Sequence, residues 1–163
     1  MPYSVILSGP EDLEFLCITL HSCTPSCCLG VLYNLPDNVS HVLSKLDSVL
    51  QTLPPTLFSN FVLLGDFNVN YLDTSNSVFC LLDNILSNYN LFQVVQEPTR
   101  VASTDGATLI DLALVSNPEA LESCSVIPPL ASSDHNGISL TMNLRKPSCM
   151  AYNKEINLEV CTS

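Results

Sequence analysis

Short apolar runs are the feature that most constrains the fold of this 163-residue chain. Seven runs rich in Val, Ile, Leu and Phe are bounded by Pro, Asn, Ser and Asp, a pattern typical of β-strands. They are YSVIL (3–7), EFLCITL (14–20), CCLGVLY (27–33), NFVLLG (60–65), TLIDLALV (108–115), CSVI (124–127) and GISLTMNL (137–144). Strands that read as continuous apolar runs are buried on both faces, so the runs predict a mixed sheet flanked by helices.

Two segments between these runs have helical spacing. Residues 38–53 place apolar side chains three and four positions apart, which predicts one face of a helix, and Pro54 and Pro55 end it. A second helix is predicted over residues 75–90. The chain therefore reads as one α/β domain over residues 1–144, followed by an irregular tail over 145–163 where the pattern is lost.

The charge and the cysteines exclude some functions. With five Lys and Arg residues and a net charge of -11, the chain is poorly suited to wrap nucleic acid on its own, because phosphate contacts need cations. Several of the eight cysteines lie inside apolar runs, so we expect buried free thiols. The motif CTPSCC has no second ligand pair at the spacing of a zinc site.

Neither a secretory nor a membrane segment is predicted. The N-terminal sequence lacks a basic region followed by a sustained apolar stretch, so no signal peptide is expected. No apolar run reaches the roughly 18 residues of a membrane-spanning helix. We therefore expect an intracellular, reducing location, with the nucleus and the cytoplasm both open.

Polar residues interrupt the apolar pattern at the ends of three predicted strands. They are Asp66 with Asn68, Asp111, and Ser133 with Asp134 and His135. If the first strand runs toward a rim and the other two run away from it, all three clusters meet on one edge of the sheet. In an extended chain residues two apart project to the same side, so Asp66 and Asn68 are expected to face one ligand.

The residue types in these clusters favour hydrolysis of a phosphoester. Carboxylates at a rim suit Mg²⁺, a His beside an Asp suits proton transfer, and an Asn amide can donate to a developing oxyanion. A carboxylate buried within an apolar strand needs a partner, and His135 is the candidate for Asp111. In the alternative interpretation GDFN is only a turn, Asp134 caps a local turn and His135 is a solvated loop residue.

Three segments carry a resemblance to a known family. LLGDFNVN, LIDLALVSN and SSDHNGISL, in that order, resemble the endonuclease/exonuclease/phosphatase superfamily. The intervening LFQVVQEPTRVASTDGATLIDL is similar to the apurinic-type endonuclease domain of non-LTR (LINE-type) retrotransposons. The resemblance covers about residues 27–144, and it implies part of a four-layered, DNase I-like α/β sandwich of mixed sheets flanked by helices.

The resemblance implies catalytic roles for five residues. Asp66 would handle the proton of the attacking water or leaving group, and Asn68 would help to bind the scissile phosphate. Asp111 would hold His135, which would stabilise or protonate the group at the phosphate. Tyr33, in LYNLP, would contact the phosphate, unless it only closes a strand.

The resemblance also implies a metal and a substrate. The cofactor would be Mg²⁺, with Mn²⁺ as an alternative, and Asp134 would lie at the metal. Arg100 and Ser133 would join Asn68 in binding the substrate. DNA would be that substrate, although an acidic chain alone would bind it weakly, and a full-length relative would carry a reverse transcriptase domain.

The sequence departs from the family upstream of Tyr33. Family members begin with a strand bearing an Asn and a second strand whose Glu is the principal metal ligand, and neither is evident here. Glu11 and Glu14 lie in GPEDLEF, which resembles a later hairpin, so neither is predicted to bind metal. We therefore expect the chain to lack about the first third of the domain and to expose a sheet edge.

Three functions remain open from the sequence. The first is a Mg²⁺-dependent DNA endonuclease that nicks a strand for target-primed reverse transcription. The second is a non-catalytic, truncated retroelement remnant that keeps the motif residues by descent. The third is a phosphatase of a small phosphorylated molecule, which the low basic charge fits but the QEPTR run does not.

Overall fold

The computed structural model describes residues 3–9, 12–21, 23, 26–102, 106–144 and 157–160. Its two α-helices are α1 (Val39–Thr52) and α2 (Ser77–Asn88), and short 3-10 helices cover Pro36–Asn38, Pro55–Asn60 and Pro118–Ala120. In chain order the strands of these residues, β1 to β11, are Tyr3–Ser8, Glu14–Leu20, Cys27–Tyr33, Phe61–Asp66, Phe92–Gln93, Arg100–Ala102, Gly106–Thr108, Asp111–Val115, Leu121–Ile127, Gly137–Met142 and Asn157–Val160.

The strands form one large mixed sheet, a smaller sheet and a hairpin. The large sheet has the order β1-β2-β3-β4-β8-β5, in which β3 and β4 are parallel and the other pairs are antiparallel. The smaller sheet has the order β11-β10-β9, and β6 and β7 pair with each other. Helix α1 provides the crossover between the parallel strands β3 and β4, which is the connection such a pair requires.

The centre of the large sheet is covered on both faces. Strands β4 and β8 are buried at every residue. Helices α1 and α2 contact each other, and the Tyr89 hydroxyl donates to the Asp47 carbonyl at 3.0 Å. Strand β10 contacts β8, and the buried residues of the helices and both sheets form one hydrophobic core. The predicted mixed sheet flanked by helices is therefore confirmed.

Helix α1 follows the predicted apolar pattern closely. Its buried side chains are Val42, Leu43, Leu46, Val49 and Leu50. The helix ends at Thr52, before Pro54, as the proline pair predicts. Helix α2 begins after Asn76, whose side chain accepts the backbone N–H of Val78 at 2.9 Å and caps the first turn.

Three parts of the strand prediction differ from the structure. The run 108–115 is not one strand, because Thr108 ends β7 and β8 begins only at Asp111. Strands β5, β6 and β7 are two or three residues long and are not apolar runs, so periodicity does not reveal them. The division at residue 144 remains a prediction, but Asn157–Val160 within the tail forms a strand against β10, where an irregular chain is expected.

The described cysteines are free thiols, as predicted. Cys17, Cys23, Cys27 and Cys28 are buried, as expected, but Cys80 on α2 is exposed, so the prediction of burial is wrong for Cys80. Predictions for Cys149 and Cys161 fall outside the described residues. Among those that are described, no helix is both long enough and apolar enough to cross a membrane.

Candidate active site

Two carboxylates lie side by side at one rim of the large sheet. Asp66 is the last residue of β4 and Asp111 the first of β8, and their Cα atoms are partners in the antiparallel pairing. Both are buried, with exposed fractions of 5% and 1%. Directly paired residues project from the same face, so the two carboxylates face one space. The predicted meeting at a rim is confirmed for these two residues.

His135 is the partner of the buried carboxylate of Asp111. Its Nδ1 lies 3.0 Å from Asp111 Oδ2 and 3.2 Å from Oδ1. The carboxylate is an acceptor only, so Nδ1 donates to it and Nε2 of the neutral ring is left as an acceptor. The predicted pairing is confirmed, and it explains how a carboxylate is tolerated between Ile110 and Leu112.

Gly65 allows β4 to end at this rim. It has a φ of 148°, and a Cβ atom placed on it would lie 1.8 Å from the carbonyl oxygen of Leu32 in β3. No side chain fits such an approach, so the glycine of the GDFN motif is required by packing as well as by its backbone conformation.

Asn68 does not lie in an extended chain, and the predicted geometry is wrong at this point. Strand β4 ends at Asp66, and Asn68 has a φ of 49°. Its backbone N–H donates to Asp66 Oδ1 at 2.9 Å, while its side-chain amide donates to the carbonyl of Asn34. The turn that GDFN forms therefore orients the Asp66 carboxylate directly, because Asn68 binds it through the backbone.

Asn34 is a positioning residue that the sequence interpretation missed. It is fully buried, its N–H donates to the Asp66 carbonyl at 2.9 Å, and its Nδ2 donates to the Phe67 carbonyl at 2.7 Å. Because its own carbonyl accepts the Asn68 amide, Asn34 holds three successive residues of the turn. The sequence signal for Asn34 is a polar residue directly after an apolar strand, next to Tyr33.

Tyr33 lies beside the carboxylates. It is the last residue of β3, and its Cα is the partner of Asp66 in the parallel pairing. Its side chain is 39% exposed. Paired residues share a face, so Tyr33 stands on the same side of the sheet as Asp66, and its predicted contact with a phosphate remains a prediction.

Thr99 connects the two halves of the Asp111–His135 pair. Its hydroxyl accepts the backbone N–H of Asp111 at 3.0 Å and of Ile110 at 3.3 Å, and its carbonyl accepts the N–H of Asn136 at 2.6 Å. Thr99 is fully buried. These contacts supply the physical reason for the threonine of the QEPTR run, which the sequence alone relates only to the family resemblance.

Arg100 binds Asp134 at the edge of this site. Its Nε donates to Asp134 Oδ2 at 2.8 Å, and this hydrogen bond holds the pKa of the Asp134 carboxyl below its usual value. Both side chains are partly exposed. The hydroxyl of Ser133 accepts the N–H of His135 at 3.1 Å. The structure thus gives Ser133 and Asp134 contacts that shape the loop bearing His135.

One set of ligating side chains among the described residues is close enough to hold a metal ion. The ligand atoms of Asp66, Asp111 and His135 all lie within 4.8 Å of one another, and Asp134 is not in this set. Because both Asp111 oxygens face His135, the carboxylate left for a cation is that of Asp66. Magnesium is commonly held by one or two carboxylates together with waters and substrate phosphates, and this donor set fits that pattern.

The Asp66 carboxyl titrates near neutral pH. Burial raises its pKa from 3.8 to about 6, and the negative charge of Asp111 acts in the same direction. The Asn68 N–H and the charges of His135 and Arg100 lower the pKa and offset part of this rise. Folding therefore favours the protonated form of Asp66, and a nearby cation would favour the ionised form.

We expect Asp66→Asn to stabilise the fold at pH 7.5. The folded-state pKa is raised, so the native protein binds more protons than the unfolded chain, and stability falls as pH rises from about 4 to 6. A neutral amide avoids that loss and still accepts the Asn68 N–H, which gives a gain of about 2 to 3 kcal/mol at pH 7.5. Urea unfolding in EDTA measures it.

The gain should shrink as the pH falls. At pH 4 the wild-type carboxyl is already protonated when folded, so the two proteins should differ by less than about 1 kcal/mol. Asp73→Asn, at an exposed residue outside the site, is the matched control and should leave this pH dependence unchanged. A gain for Asp66→Asn that is equal at pH 4 and pH 7.5 would contradict the assignment of the shift to Asp66.

Comparison with protein families identifies the chain over most of its length. Residues 27–139 match the model of a family described as endonuclease-reverse transcriptase. The matched range contains all of the candidate site residues described above. No curated protein matches the chain.

Solved structures share the fold at low sequence identity. The endonuclease domain of TRAS1, a telomere-specific non-LTR retrotransposon, superposes with a TM-score of 0.68 and 16% identity over 90% of this chain and 82% of that one. An endonuclease/exonuclease/phosphatase family protein from Leptotrichia buccalis superposes with a TM-score of 0.61 and 19% identity, over 78% of this chain and 52% of that one.

A phosphatase structure shares the same architecture. The inositol polyphosphate 5-phosphatase domain of SPsynaptojanin superposes with a TM-score of 0.53 and 16% identity, over 96% of this chain and 55% of that one. This chain thus spans about half the length of two of these three structures. The shared architecture is the DNase I-like α/β sandwich, and with the family match it shows that the chain belongs to the endonuclease-reverse transcriptase family of the endonuclease/exonuclease/phosphatase superfamily.

Proposed function

We propose that this chain is a metal-dependent phosphodiesterase that nicks DNA, as an endonuclease of the retrotransposon type. The observation that carries the proposal is the buried Asp111–His135 pair beside the Asp66 carboxylate at the sheet rim. The matched family and the TRAS1 domain are both endonucleases by name, which supports DNA as the substrate. As the sequence suggests, a longer relative would join this domain to a reverse transcriptase.

Asp66 and His135 divide the proton chemistry between them. Burial raises the pKa of Asp66 to about 6, which makes it a stronger base than an exposed aspartate and suits a group that accepts a proton from water or returns it to the leaving oxygen. His135 is held by Asp111 through Nδ1, which leaves Nε2 as the ring nitrogen that would reach the scissile phosphate. When protonated it stabilises the charge that develops on the phosphate oxygens.

A divalent cation would supply the positive charge that this acidic chain lacks. Mg²⁺, or Mn²⁺, would be held by the Asp66 carboxylate together with the substrate phosphate and would neutralise charge on the transferring group. Asp134 lies outside the set of ligand atoms within 4.8 Å, so it would act on the cation from a longer distance. Arg100 adds a fixed cation at the same edge, and its charge already acts on the Asp66 carboxyl. Tyr33 and Ser133 would contribute hydrogen bonds to the phosphate. The Asn68 amide already donates one N–H to the Asn34 carbonyl, so only its second N–H would be available for the phosphate.

Nicking of supercoiled plasmid tests the proposal. We expect the purified chain to convert supercoiled DNA to open circles in Mg²⁺, and EDTA to stop the reaction. A double variant carrying Asp66→Ala and His135→Ala is the control for contaminating nuclease. Because the chain has a net charge of -11 and repels DNA, moderate added salt screens that repulsion, so the rate should not fall steeply as salt is first added.

If the chain nicks plasmid no faster than the double variant, the proposal is wrong for this chain. The alternative is then a non-catalytic remnant, and the strong negative charge favours it because the chain repels its own substrate. Calorimetric titration with Mg²⁺ and Mn²⁺ separates the two. Binding that Asp66→Ala abolishes supports a working metal site, whereas no binding supports the remnant.

A further inference from the structure

Four buried cysteines lie together, far from the candidate active site along the strands. They are Cys17, Cys23, Cys27 and Cys28. Cys28 is the Cα partner of Phe61, at the opposite end of β4 from Asp66. None of the four contributes to the phosphodiesterase chemistry proposed above, so any role of these thiols is separate from it.

Two of these thiols are already in contact across a pair of strands. Cys17 lies on β2 and Cys28 on β3, and the register pairs Cys17 with Gly30 and Thr19 with Cys28. The two cysteines are therefore diagonal neighbours on one face of the antiparallel pair. Their Sγ atoms are 3.0 Å apart, so an approach of about 1 Å would bring them to the length of a disulfide bond, about 2.05 Å.

The same contact makes one thiol the better nucleophile. The two thiols share a hydrogen bond in which either can be the donor, and this contact lowers the pKa of Cys17 and raises that of Cys28. Burial raises the pKa of Cys27 to about 12 and also raises that of Cys23. The thiolate is the attacking form in exchange reactions, so the lowered pKa favours Cys17 as the attacking member of the pair.

We propose that Cys17 and Cys28 are a reversible disulfide site, oxidised by exchange with a small-molecule disulfide. The Cys17 thiolate attacks one sulfur of that disulfide, forms a mixed disulfide and releases one thiolate. The Cys28 thiolate then attacks the Cys17 sulfur and releases the second. Two protein thiols are oxidised to one disulfide, and the small disulfide is reduced to two thiols.

Access to the pair comes from the edge of the sheet. Strand β1 is the last strand on that side, and it covers β2 alone. Cys17 and Cys28 are fully buried, so exchange requires local opening, and opening at an edge strand costs less than global unfolding. The disulfide then joins β2 to β3 and closes the chain between Cys17 and Cys28, which constrains the unfolded state.

Oxidation of the complete chain with oxidised glutathione at pH 8 tests the site. After acid quenching, unfolding and alkylation, a digest without reductant should contain one peptide pair joined through Cys17 and Cys28. The oxidised protein should melt about 5 to 10 °C higher, and dithiothreitol should reverse both effects. Cys28→Ala should remove the link, and Cys17→Ala is the second variant if the first does not fold.

Cys80 provides the internal control. It is the exposed cysteine of α2, so its modification by glutathione shows that exchange has proceeded. Cys80→Ser should retain the Cys17–Cys28 link. Recovery of Cys17 and Cys28 as alkylated thiols from protein modified at Cys80 would overturn the proposal, as would a link between Cys23 and Cys27 instead.

Discussion

Replacing Gly65 with Ala is expected to destabilise the fold by about 4 kcal/mol or more. The new Cβ would lie 1.8 Å from the Leu32 carbonyl oxygen, and the φ of 148° is one that side-chain-bearing residues rarely adopt. Overpacking and backbone strain each cost about 1 to 3 kcal/mol, and here they act on the same atoms. Since domains are stable by only about 5 to 15 kcal/mol, much of the variant should be unfolded at 37 °C.

Urea denaturation followed by circular dichroism measures this loss. Gly106→Ala is the matched control, because Gly106 also has a positive φ, 79°, but a Cβ there meets nothing within 4 Å. Its cost should be only about 1 kcal/mol, from the backbone conformation alone. If both variants lose the same stability, the close approach of β3 to β4 is not what requires glycine at position 65.

Part of the candidate site can be predicted from the sequence alone. Strand β4 ends on Gly65 and Asp66, and strand β8 begins on Asp111. Because the two strands are antiparallel, both carboxylates lie at the same rim of the sheet. The local apolar patterns are therefore sufficient to predict where these two carboxylates lie. The pairing of Asp111 with His135 was likewise predictable, since a buried carboxylate needs a partner.

The remaining geometry of the candidate site depends on contacts between segments that are distant in the sequence. Asn68 adopts a positive φ while its amide binds the carbonyl of Asn34, which is 34 residues away in the chain. Thr99 reaches Asp111 from the β6–β7 side of the site, through strands too short to show periodicity. Such hydrogen bonds have no signature in spacing, so the extended geometry assumed for Asp66 and Asn68 was wrong.

Asp111→Asn is expected to lower the rate of DNA nicking about 100- to 1,000-fold at saturating Mg²⁺. Asp111 is buried and faces His135 Nδ1 with both oxygens, so its charge holds the ring and stabilises the imidazolium. Removing a charge that acts on a catalytic His costs orders of magnitude in rate while the fold is kept. The rate should stay low when more Mg²⁺ is added, because the amide does not restore the charge.

Asp134→Asn is the matched comparison, one residue from His135. Asp134 is half-exposed and bound to Arg100, and our proposal gives it a role at the metal. Its replacement should raise the Mg²⁺ concentration needed for half-maximal nicking, and the rate should return to within about tenfold of wild type at saturation. Initial rates over a Mg²⁺ series separate the two variants.

The reverse pattern would overturn the division of roles. If Asp111→Asn recovers at high Mg²⁺ and Asp134→Asn does not, Asp111 is a metal ligand and the His135 contact is secondary. The cluster of Asp66, Asp111 and His135 is close enough for that arrangement, since its ligand atoms lie within 4.8 Å. The structure favours Asp111 as the partner of His135 rather than as a metal ligand, because both of its oxygens face the imidazole. A cation that used these oxygens would have to displace His135.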